Sequence, residues 1–398
     1  MENIYSTYYQ LLKGTNTRFT RSLLDTIDWN NRLIAITGAR GSGKTTLIFQ
    51  YIRLKWGTAP KHVLYASLDN LWFTSNSLYD FADSFVKQGG QYLFLDEVHK
   101  YQNWSQEIKN IYDSFPDLHI VITGSSMLQI YKGNADLSRR AVHYRLHGLS
   151  FREYLHFEHN FHSNPVSIEE LLINHIEIAQ QVCAALKPIP LFENYLKTGY
   201  YPFFKENNLL YYHKLLNTIN AVLETDLPAV ERIDYYSINK MKKLLVIISS
   251  MVPFSPNITR LSAEMEVSRN SLLNYLSLLE RASTINLLGQ DVSGLQILTK
   301  PEKIYLENPN LCYALSDNKY ASGNVRETFF LNQLNAVSSV TSVPRGDFMV
   351  NNKYTFEVGG KNKGFEQIAG IADSYLALDN LETGFGNKIP LWLFGFLY

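Results

Sequence analysis

At 398 residues the chain is longer than one ordinary hydrophobic core supports, so we expect two or three domains. Lysine plus arginine and aspartate plus glutamate number 37 each, which argues against a global basic field for nucleic acid, and two cysteines argue against a disulfide framework or a cysteine-rich zinc site. The apolar runs are shorter than the ~20 residues of a membrane-spanning helix, and no basic segment precedes an apolar one near the first residue, so we expect a cytoplasmic protein with no membrane partner.

Residues 1 to about 30 predict a helical lead-in, and the apolar run 33–36 predicts a buried parallel strand. The next residues have the spacing G-x-x-x-x-G-K-[ST] of a phosphate-binding P-loop, with a predicted helix behind them. Glycines let successive N–H groups turn toward phosphate oxygens, and the helix directs its positive end at the same anion. A glycine-rich turn with an incidental lysine is the structural alternative. The residues predicted to bind nucleotide are Gly38, Ala39, Arg40, Gly41, Ser42, Gly43, Lys44, Thr45 and Thr46.

Lys44 and Thr45 have distinct predicted roles in ATP chemistry. The Lys44 ammonium would reach the β- and γ-phosphates, and the Thr45 hydroxyl would ligate Mg²⁺. The apolar run 92–95 then predicts a strand that ends in Asp96 and Glu97, a Walker B pattern at the end of the strand where open parallel sheets bind ligands. Asp96 would hold Mg²⁺, and Glu97 would be the general base toward the attacking water. Apolar strands also end in acids for structural reasons, but the order behind the P-loop favours the functional interpretation.

Small polar residues follow the strand predicted at 118–122. Thr123 and Ser125 are candidates for a polar sensor of the γ-phosphate. A plain turn followed by a helix N-cap explains the same residues without a function. His99, earlier in the chain, is interpreted as a structural residue.

Two arginines, Arg139 and Arg140, precede the last strand predicted for this region, at 142–146. We select Arg140 as a candidate arginine finger, from this chain or a neighbouring copy, that would neutralise charge on the transferred phosphate. Solvated or salt-bridged arginines are the alternative. The alternation of about five strands with helices predicts, for residues 1–150, a parallel sheet with helices on both faces, the α/β fold class of P-loop NTPases.

Residues 151–250 predict a helical lid or connector. In 251–300, two short helices joined by a turn and followed by an apolar strand predict a winged helix-turn-helix. In DNA recognition its second helix would place Arg269, Asn270 and Asn274 in the major groove. Glutamates match the arginines of this segment, which leaves no surplus positive charge for phosphates, so a protein partner or self-association is the alternative.

Residues 301–398 predict a small α+β domain, with a helix followed by two strands joined at Asn351-Asn352. Three of its acids, Glu327, Asp347 and Glu357, resemble the metal-binding set of restriction-endonuclease-like folds. The activating lysine of those folds stands two residues beyond the last acid, where this chain has Gly359. Either a lysine has migrated or the cleavage chemistry is absent, and we favour its absence. The lysines that follow are Lys361 and Lys363.

With these motifs in view, the chain resembles a bacterial and archaeal family of AAA+ ATPases that join an AAA domain to a C-terminal domain of unknown function with a winged helix and a nuclease-like fold. The resemblance implies binding of ATP or ADP and hydrolysis of ATP with Mg²⁺, with Lys44, Thr45, Asp96 and Glu97 in the family's roles. Nucleotide state would then move the C-terminal parts. A slow-turnover nucleotide switch that acts as a DNA- or protein-binding regulator is the alternative. The matching motifs are 38–45, 93–99, 122–126, Arg140, 149–154, 199–202, 324–328, Asp347-Phe348 and 356–358.

Overall fold

The structure of the chain is a computed structural model that describes residues 2–124, 137, 139–229, 231–250, 256–290, 301–316 and 322–398. The chain divides into two compact units. The first unit consists of Met1–Gly148 together with Glu224–Arg232, and the second of Leu149–Leu223 together with Ile233–Tyr398. No sequence pattern predicted that the short segment Glu224–Arg232 belongs to the first unit.

A parallel sheet of five strands forms the centre of the first unit. Its strands are β1 (Leu33–Thr37), β2 (Val63–Ser67), β3 (Tyr92–Asp96), β4 (His119–Gly124) and β5 (Val142–Arg145). Their order across the sheet is β2-β3-β4-β1-β5. The register pairs Leu33 with Ile120 on one side of β1 and Ile34 with Val142 on the other. The three strands β1, β2 and β3 are buried almost throughout, which explains why their sequences are continuous apolar runs.

Helices cover both faces of this sheet. The described helices are α1 (Glu2–Gly14), α2 (Leu23–Thr26), α3 (Lys44–Trp56), α4 (Leu78–Lys87) and α5 (Trp104–Ser114). The connection from β1 to β2, which contains α3, crosses the sheet in one direction. The connections from β2 to β3 and from β3 to β4, which contain α4 and α5, cross it in the other direction. Because parallel crossovers are right-handed, α3 lies on one face and α4 and α5 lie together on the opposite face. This arrangement confirms the predicted parallel α/β sheet and fits a P-loop NTPase fold.

The lead-in segment is anchored to α3, the helix that begins in the predicted P-loop. Leu12 of α1 is fully buried, and burial of a leucine side chain stabilises a fold by roughly 1.5–3 kcal/mol. Gln50 of α3 donates hydrogen bonds from Nε2 to the carbonyl oxygens of Asn16 (2.8 Å) and Phe19 (2.6 Å). These contacts hold the start of the chain against the helix that supports the loop.

The second unit is largely helical before its C-terminal sheet. Its described helices are α6 (Phe151–His159), α7 (Ile168–Ala185), α8 (Pro188–Asn194), α9 (Tyr211–Ala221), α10 (Tyr235–Ser250), α11 (Ile258–Glu264), α12 (Arg269–Arg281), α13 (Pro309–Leu315) and α14 (Ser322–Leu334). The two short helices predicted in 251–300 correspond to α11 and α12. Strand β6 (Ile285–Leu288) follows them and pairs antiparallel with β7 (Lys303–Leu306). Across the described part of the chain, every helix is too short or too polar to span a membrane.

A mixed sheet completes the second unit. Its strands are β8 (Val340–Thr341), β9 (Phe348–Val350), β10 (Tyr354–Gly359), β11 (Ser374–Leu378) and β12 (Lys388–Pro390). Their order is β12-β11-β10-β9-β8, with β9 and β10 antiparallel and β10 and β11 parallel. The predicted turn between β9 and β10 is confirmed: Asn351 and Asn352 have φ angles of 53° and 54°, a left-handed conformation that asparagine tolerates better than most residues.

Candidate functional site

The loop between β1 and α3 has a conformation that depends on two glycines. Gly43 precedes α3 with a φ of 96°, a left-handed conformation that is readily available to glycine. A Cβ atom on Gly38 would overlap the carbonyl oxygen of Leu146, so a larger residue does not fit there. The loop therefore lies directly against the chain that leaves β5, and the N-terminal N–H groups of α3 face it.

Lys44, the first residue of α3, is buried, with 5% of its surface exposed. Its Nζ donates hydrogen bonds to the carbonyl oxygens of Gly38 (2.9 Å) and Ala39 (3.0 Å), so the side chain folds back over its own loop. Burial lowers the pKa of Lys44, although the charges of Glu97 and Asp96 act in the opposite direction. A buried ammonium in this position is stabilised by an anion, and a phosphate group supplies one.

Ser42 and Arg21 further adapt the loop to phosphate oxygens. The Ser42 hydroxyl is buried and has no hydrogen-bond partner among the described residues, so the loop holds a polar group that a ligand can satisfy. Arg21 donates from Nη1 to the carbonyl oxygen of Ser42 (2.8 Å) and from Nη2 to those of His147 (2.7 Å) and Gly148 (2.8 Å). Arg21 thereby ties the loop to the chain beyond β5. No sequence motif predicts this role, because an isolated arginine in a predicted helical segment would ordinarily lie on the surface, whereas Arg21 is buried.

Asp96, at the end of β3, accepts hydrogen bonds from three hydroxyl groups and is 2% exposed. Thr45 Oγ1 (2.6 Å) and the Tyr65 hydroxyl (2.8 Å) donate to Oδ2, and the Thr123 hydroxyl donates to Oδ1. Hydroxyl and carboxylate oxygens are the ligands that Mg²⁺ prefers, so Thr45 and Asp96 fit this ion. Within the described ranges no group of three or more His, Cys, Asp or Glu residues is arranged to hold a metal.

Tyr65 is a site residue that the sequence did not reveal. It lies on β2 in register with Phe94 of β3, and two strands, β3 and β4, separate it from β1, which leads into the P-loop motif. Burial, and then the charge of Asp96, raises the pKa of Tyr65 far above its usual value, so the hydroxyl stays protonated and donates to the carboxylate. A strand that is apolar throughout gives no periodicity from which to single out one tyrosine.

Glu97 has an unusual backbone conformation, with a φ of 51°. Such a conformation is uncommon for residues other than glycine and is concentrated at functional sites. The Glu97 N–H donates to Asp96 Oδ1 (3.0 Å) and to Thr123 Oγ1 (3.4 Å), and its carboxylate Oε2 lies 3.3 Å from Nε2 of His99. The Glu97 side chain is 23% exposed, while its Oε2 atom is buried and accepts no hydrogen bond from the described residues. His99, interpreted from the sequence as structural, therefore contacts the predicted general base.

Asp226 is a second buried carboxylate beside the loop, and it comes from the segment Glu224–Arg232. Lys100 donates from Nζ to Oδ1 (2.7 Å), Arg40 Nη1 lies 3.2 Å from both carboxylate oxygens, and His99 Nε2 lies 3.6 Å from Oδ1. Burial opposes ionisation, but the contacts with His99 and Lys100 and the charge of Arg40 outweigh it and hold the pKa of Asp226 well below its usual range. Asp226 is therefore negatively charged at neutral pH.

Arg140 lies away from the loop of its own chain. It precedes β5, which runs parallel to β1, so it stands at the amino-terminal edge of the sheet, whereas the loop follows the carboxyl end of β1. There its guanidinium pairs with Asp113 at 3.1 and 3.2 Å. Arg139 is exposed, and Ser125 lies outside the described residues. The predicted side chains that the structure brings together around the loop are Arg40, Lys44, Thr45, Asp96, Glu97 and Thr123.

The second helix of the predicted helix-turn-helix, α12, has one buried side and one exposed side. Ser268 caps its N-terminus by accepting a hydrogen bond from the Ser271 N–H (3.0 Å). Leu272 is fully buried, whereas the predicted DNA-contacting residues lie on the exposed side, where a partner can reach them. Those residues are Arg269, Asn270 and Asn274.

The acids of the second unit are paired with lysines. These acids are Glu327 in α14, Asp347 before β9 and Glu357 in β10. Lys363 Nζ lies 2.5 Å from Glu357 Oε1, and its side chain passes over Gly359, where an added Cβ would lie 2.6 Å from Lys363 Cβ. Lys303 Nζ lies 3.4 Å from Asp347 Oδ1. A lysine from further along the chain therefore reaches the last acid across the position where the sequence pattern lacks one.

Comparisons with known proteins agree with the fold of the first unit. Residues 30–155 match the family model described as an AAA domain, and residues 189–322 match one described as a domain of unknown function (DUF8612). The uncharacterized protein MJ1637 of Methanocaldococcus jannaschii is 30% identical over 267 residues, which cover 64% of this chain and 56% of that protein. This chain thus spans little more than half the length of that relative.

Two solved structures of low similarity were also found. PCH-2 of C. elegans has 16% sequence identity and a TM-score of 0.24, covering 68% of this chain and 64% of that one. Cdc6p of Pyrobaculum aerophilum has 11% identity and a TM-score of 0.28, covering 64% of this chain and 80% of that one. The AAA-domain match over residues 30–155 agrees with the strand order of the first sheet, which fits a P-loop NTPase fold.

Proposed function

We propose that the first unit binds ATP with Mg²⁺ and hydrolyses it, and that its nucleotide state is transmitted to the second unit. The observation that carries the proposal is the set of hydrogen bonds centred on Asp96. Thr45 from the loop and Thr123 from β4 both donate to this carboxylate, and Glu97 follows it in the chain. One buried acid thus joins the phosphate loop, the metal position and the predicted base. The AAA-domain match over residues 30–155 supports the same function.

Each side chain has a defined part in the proposed reaction. The loop N–H groups and Lys44 would bind the phosphate oxygens of ATP. Thr45 and Asp96 would hold Mg²⁺, which would supply positive charge to offset the charge of the phosphates. Glu97 would take the proton from water as the water oxygen bonds to the γ-phosphorus and the bond to ADP breaks. Thr123 donates to the Asp96 carboxylate and accepts from the backbone N–H of Glu97, and would thereby link the state of the γ-phosphate to the base.

Steady-state release of phosphate from ATP tests the proposal. We expect Glu97→Gln to lower kcat by about 10²–10⁴-fold, the usual contribution of a general base, while ATP binding persists. Lys44→Ala should both lower kcat and weaken ATP binding. Lys87→Ala is the control, since this lysine lies exposed on α4 and pairs with Asp83 at 2.5 Å. Wild-type turnover in both site variants would show that the assignment is wrong.

We further propose that Arg140 reaches the nucleotide of a neighbouring copy, because in its own chain it stands at the opposite edge of the sheet from the loop. Activity per chain should then rise with protein concentration as copies associate, and Arg140→Ala should abolish the rise. Arg18→Ala, which replaces an exposed arginine, should preserve it. Activity per chain that is independent of concentration would contradict action from a neighbour.

A second function is proposed for the second unit, with 251–300 as a winged helix and 301–398 as a nuclease-like domain. Because the described residues include no group of three acids arranged for a metal, cleavage would need a divalent metal held by fewer acids together with the phosphates of DNA. Two observations favour it: Lys363 reaches Glu357 across Gly359, and Glu357 Oε2 is buried with no hydrogen-bond partner among the described residues.

Single- and double-stranded DNA incubated with Mg²⁺ or Mn²⁺ tests this second function. Glu357→Ala and Lys363→Ala should abolish cleavage. Lys361→Ala should retain it, because Lys361 is an exposed lysine of the same turn. Cleavage by the wild type that does not exceed that of Glu357→Ala would exclude a nuclease.

A further inference from the structure

His99 stands between two carboxylates of the first unit. Its Nε2 lies 3.3 Å from Glu97 Oε2 and 3.6 Å from Asp226 Oδ1, and its side chain is fully buried. A buried polar side chain in a low-dielectric environment is held strongly by the groups that contact it. Glu97 Oε2 is buried and accepts no hydrogen bond from the described residues, so the imidazole that also contacts Asp226 lies directly against this carboxylate and limits where it can move.

Asp226 also offsets positive charge at the rim of the loop. Arg40 belongs to the loop itself and places Nη1 3.2 Å from both carboxylate oxygens, and Lys100 Nζ donates to Oδ1 at 2.7 Å. The negative charge of Asp226 also acts on Lys44: it raises the pKa of this lysine, whereas burial lowers it. A fixed negative charge is thus present where the phosphates of a nucleotide would bind.

The chain brings Asp226 to this place on a segment separate from both nucleotide motifs. Glu224–Arg232 belongs to the first unit, although the residues before and after it belong to the second. Asp226 is fully buried, and its carboxylate contacts Arg40, His99 and Lys100 of the first unit, so these contacts fix the segment to that unit. A buried carboxylate is costly unless specific partners compensate for it, and Arg40, Lys100 and His99 are those partners here.

We propose that Asp226 is a positioning residue for ATP hydrolysis: through His99 it holds the Glu97 carboxylate in the orientation that accepts a proton from water. The inference rests on the proposed ATPase function and adds a residue that lies in neither motif. The same negative charge opposes the attraction of phosphate by Arg40 and Lys100. Loss of the charge should therefore slow turnover without weakening ATP binding, a combination that partial unfolding does not produce.

The test compares kcat for phosphate release with Kd for ATP in matched variants. Asp226→Asn keeps the size of the side chain and removes its charge, and we expect kcat to fall about 10- to 100-fold, as for a reacting group displaced by ~1 Å. Kd for ATP should be unchanged or lower. His99→Asn should give a similar fall, and the double variant no further one, because the two residues act in series. Asp83→Asn, the same substitution on α4, should change neither constant.

Three results would overturn the inference while leaving the ATPase function intact: wild-type kcat in Asp226→Asn, a Kd that weakens in proportion to kcat, or effects of the two single variants that multiply. In each case the wild type still hydrolyses ATP and Glu97→Gln does not. Absence of turnover in the wild type overturns both proposals. If Asp226→Asn shows no cooperative thermal transition, the variant is not folded and its kcat is uninformative. The test then uses His99→Asn and Asp226→Glu in its place, and wild-type kcat in His99→Asn refutes the inference.

Discussion

The hydroxyl of Thr45 donates a 2.6 Å hydrogen bond to Oδ2 of Asp96, although the two residues are 51 positions apart. The contact joins the first turn of α3 to the end of β3, and so joins the two nucleotide motifs of the chain. Both oxygens are hard donors, and they lie close enough together to serve one Mg²⁺ ion with the phosphates of a bound nucleotide.

Asp96→Asn should raise the Mg²⁺ concentration needed for half-maximal ATP hydrolysis and lower the maximal rate, because an amide oxygen is a weaker ligand for Mg²⁺ than a carboxylate. Thr45→Ala should shift the Mg²⁺ dependence in the same direction, whereas Thr45→Ser keeps the hydroxyl and should stay near the wild type. Phosphate release titrated with Mg²⁺ measures both effects. Identical Mg²⁺ dependence in wild type and Asp96→Asn would remove this acid from the metal site.

Gly38→Ala should destabilise the first unit by about 1–3 kcal/mol, the usual cost of forcing extra atoms into a packed region, and should weaken ATP binding. The physical reason is the overlap of the new methyl group with the carbonyl oxygen of Leu146. Urea unfolding gives the free energy. Gly14→Ala, where an added Cβ meets nothing within 4 Å, is the control and should be neutral or stabilising by up to about 1 kcal/mol. Equal free energies for the two variants would refute the steric argument.

Arg21→Lys should not substitute for the wild-type arginine, because an ammonium lacks the planar fork that reaches three carbonyl groups. The acceptors left with poorer partners belong to Ser42, His147 and Gly148. We expect a loss of about 1–3 kcal/mol in unfolding free energy, together with weaker ATP binding. Thermal unfolding and ATP titration measure the two effects, with Arg18→Lys as an exposed control. A variant as stable and as ATP-avid as the wild type would show that the loop does not depend on this anchor.

The second unit should lose stability as pH rises through neutrality. Burial, and then the charge of Asp347, raises the pKa of Glu327 to about 7. The unfolded carboxyl has a pKa of about 4.3, so between these two pH values the folded state binds a proton that the unfolded chain has released, and stability falls with rising pH. Glu327→Gln keeps an acceptor for the Tyr305 hydroxyl, which donates at 2.7 Å in the wild type, and removes the titration.

Thermal unfolding at several pH values tests this expectation. The Tm of Glu327→Gln should exceed that of the wild type at about pH 8, and the difference should disappear below about pH 4. Glu193→Gln replaces an exposed glutamate of the same unit and should give the wild-type profile. A constant Tm difference across the pH range would mean that Glu327 does not titrate as described.

The sequence predicts the site where functional residues are contiguous. The loop residues from Gly38 to Thr46 and the Asp96-Glu97 pair each occupy a single strand end, so spacing along the chain determines spacing in space. Four of the five strands of the first sheet could also be predicted because buried parallel strands are continuous apolar runs, whereas β5 is mostly exposed and was predicted from its apolar–polar alternation. The asparagine turn between β9 and β10 was predictable for a similar local reason, since few residues tolerate a positive φ.

Contacts between distant parts of the chain could not be predicted in this way. Asp226 and Lys100 are 126 positions apart, and Arg21 reaches a carbonyl equally distant from it. In the sequence each is an ordinary charged residue without a pattern around it. Lys363 differs in that it is close to Glu357 along the chain, but its contact requires the backbone after β10 to turn back over Gly359.

The segment Glu224–Arg232 also decides how this protein can be divided. A fragment ending at Gly148 would retain both nucleotide motifs yet lack Asp226, leaving His99, Arg40 and Lys100 without the carboxylate that they share. Such a truncation would not represent the nucleotide site of the intact protein. The first unit consequently cannot be exchanged as one continuous segment. A chimera with a relative would need to include Glu224–Arg232 together with the two motifs.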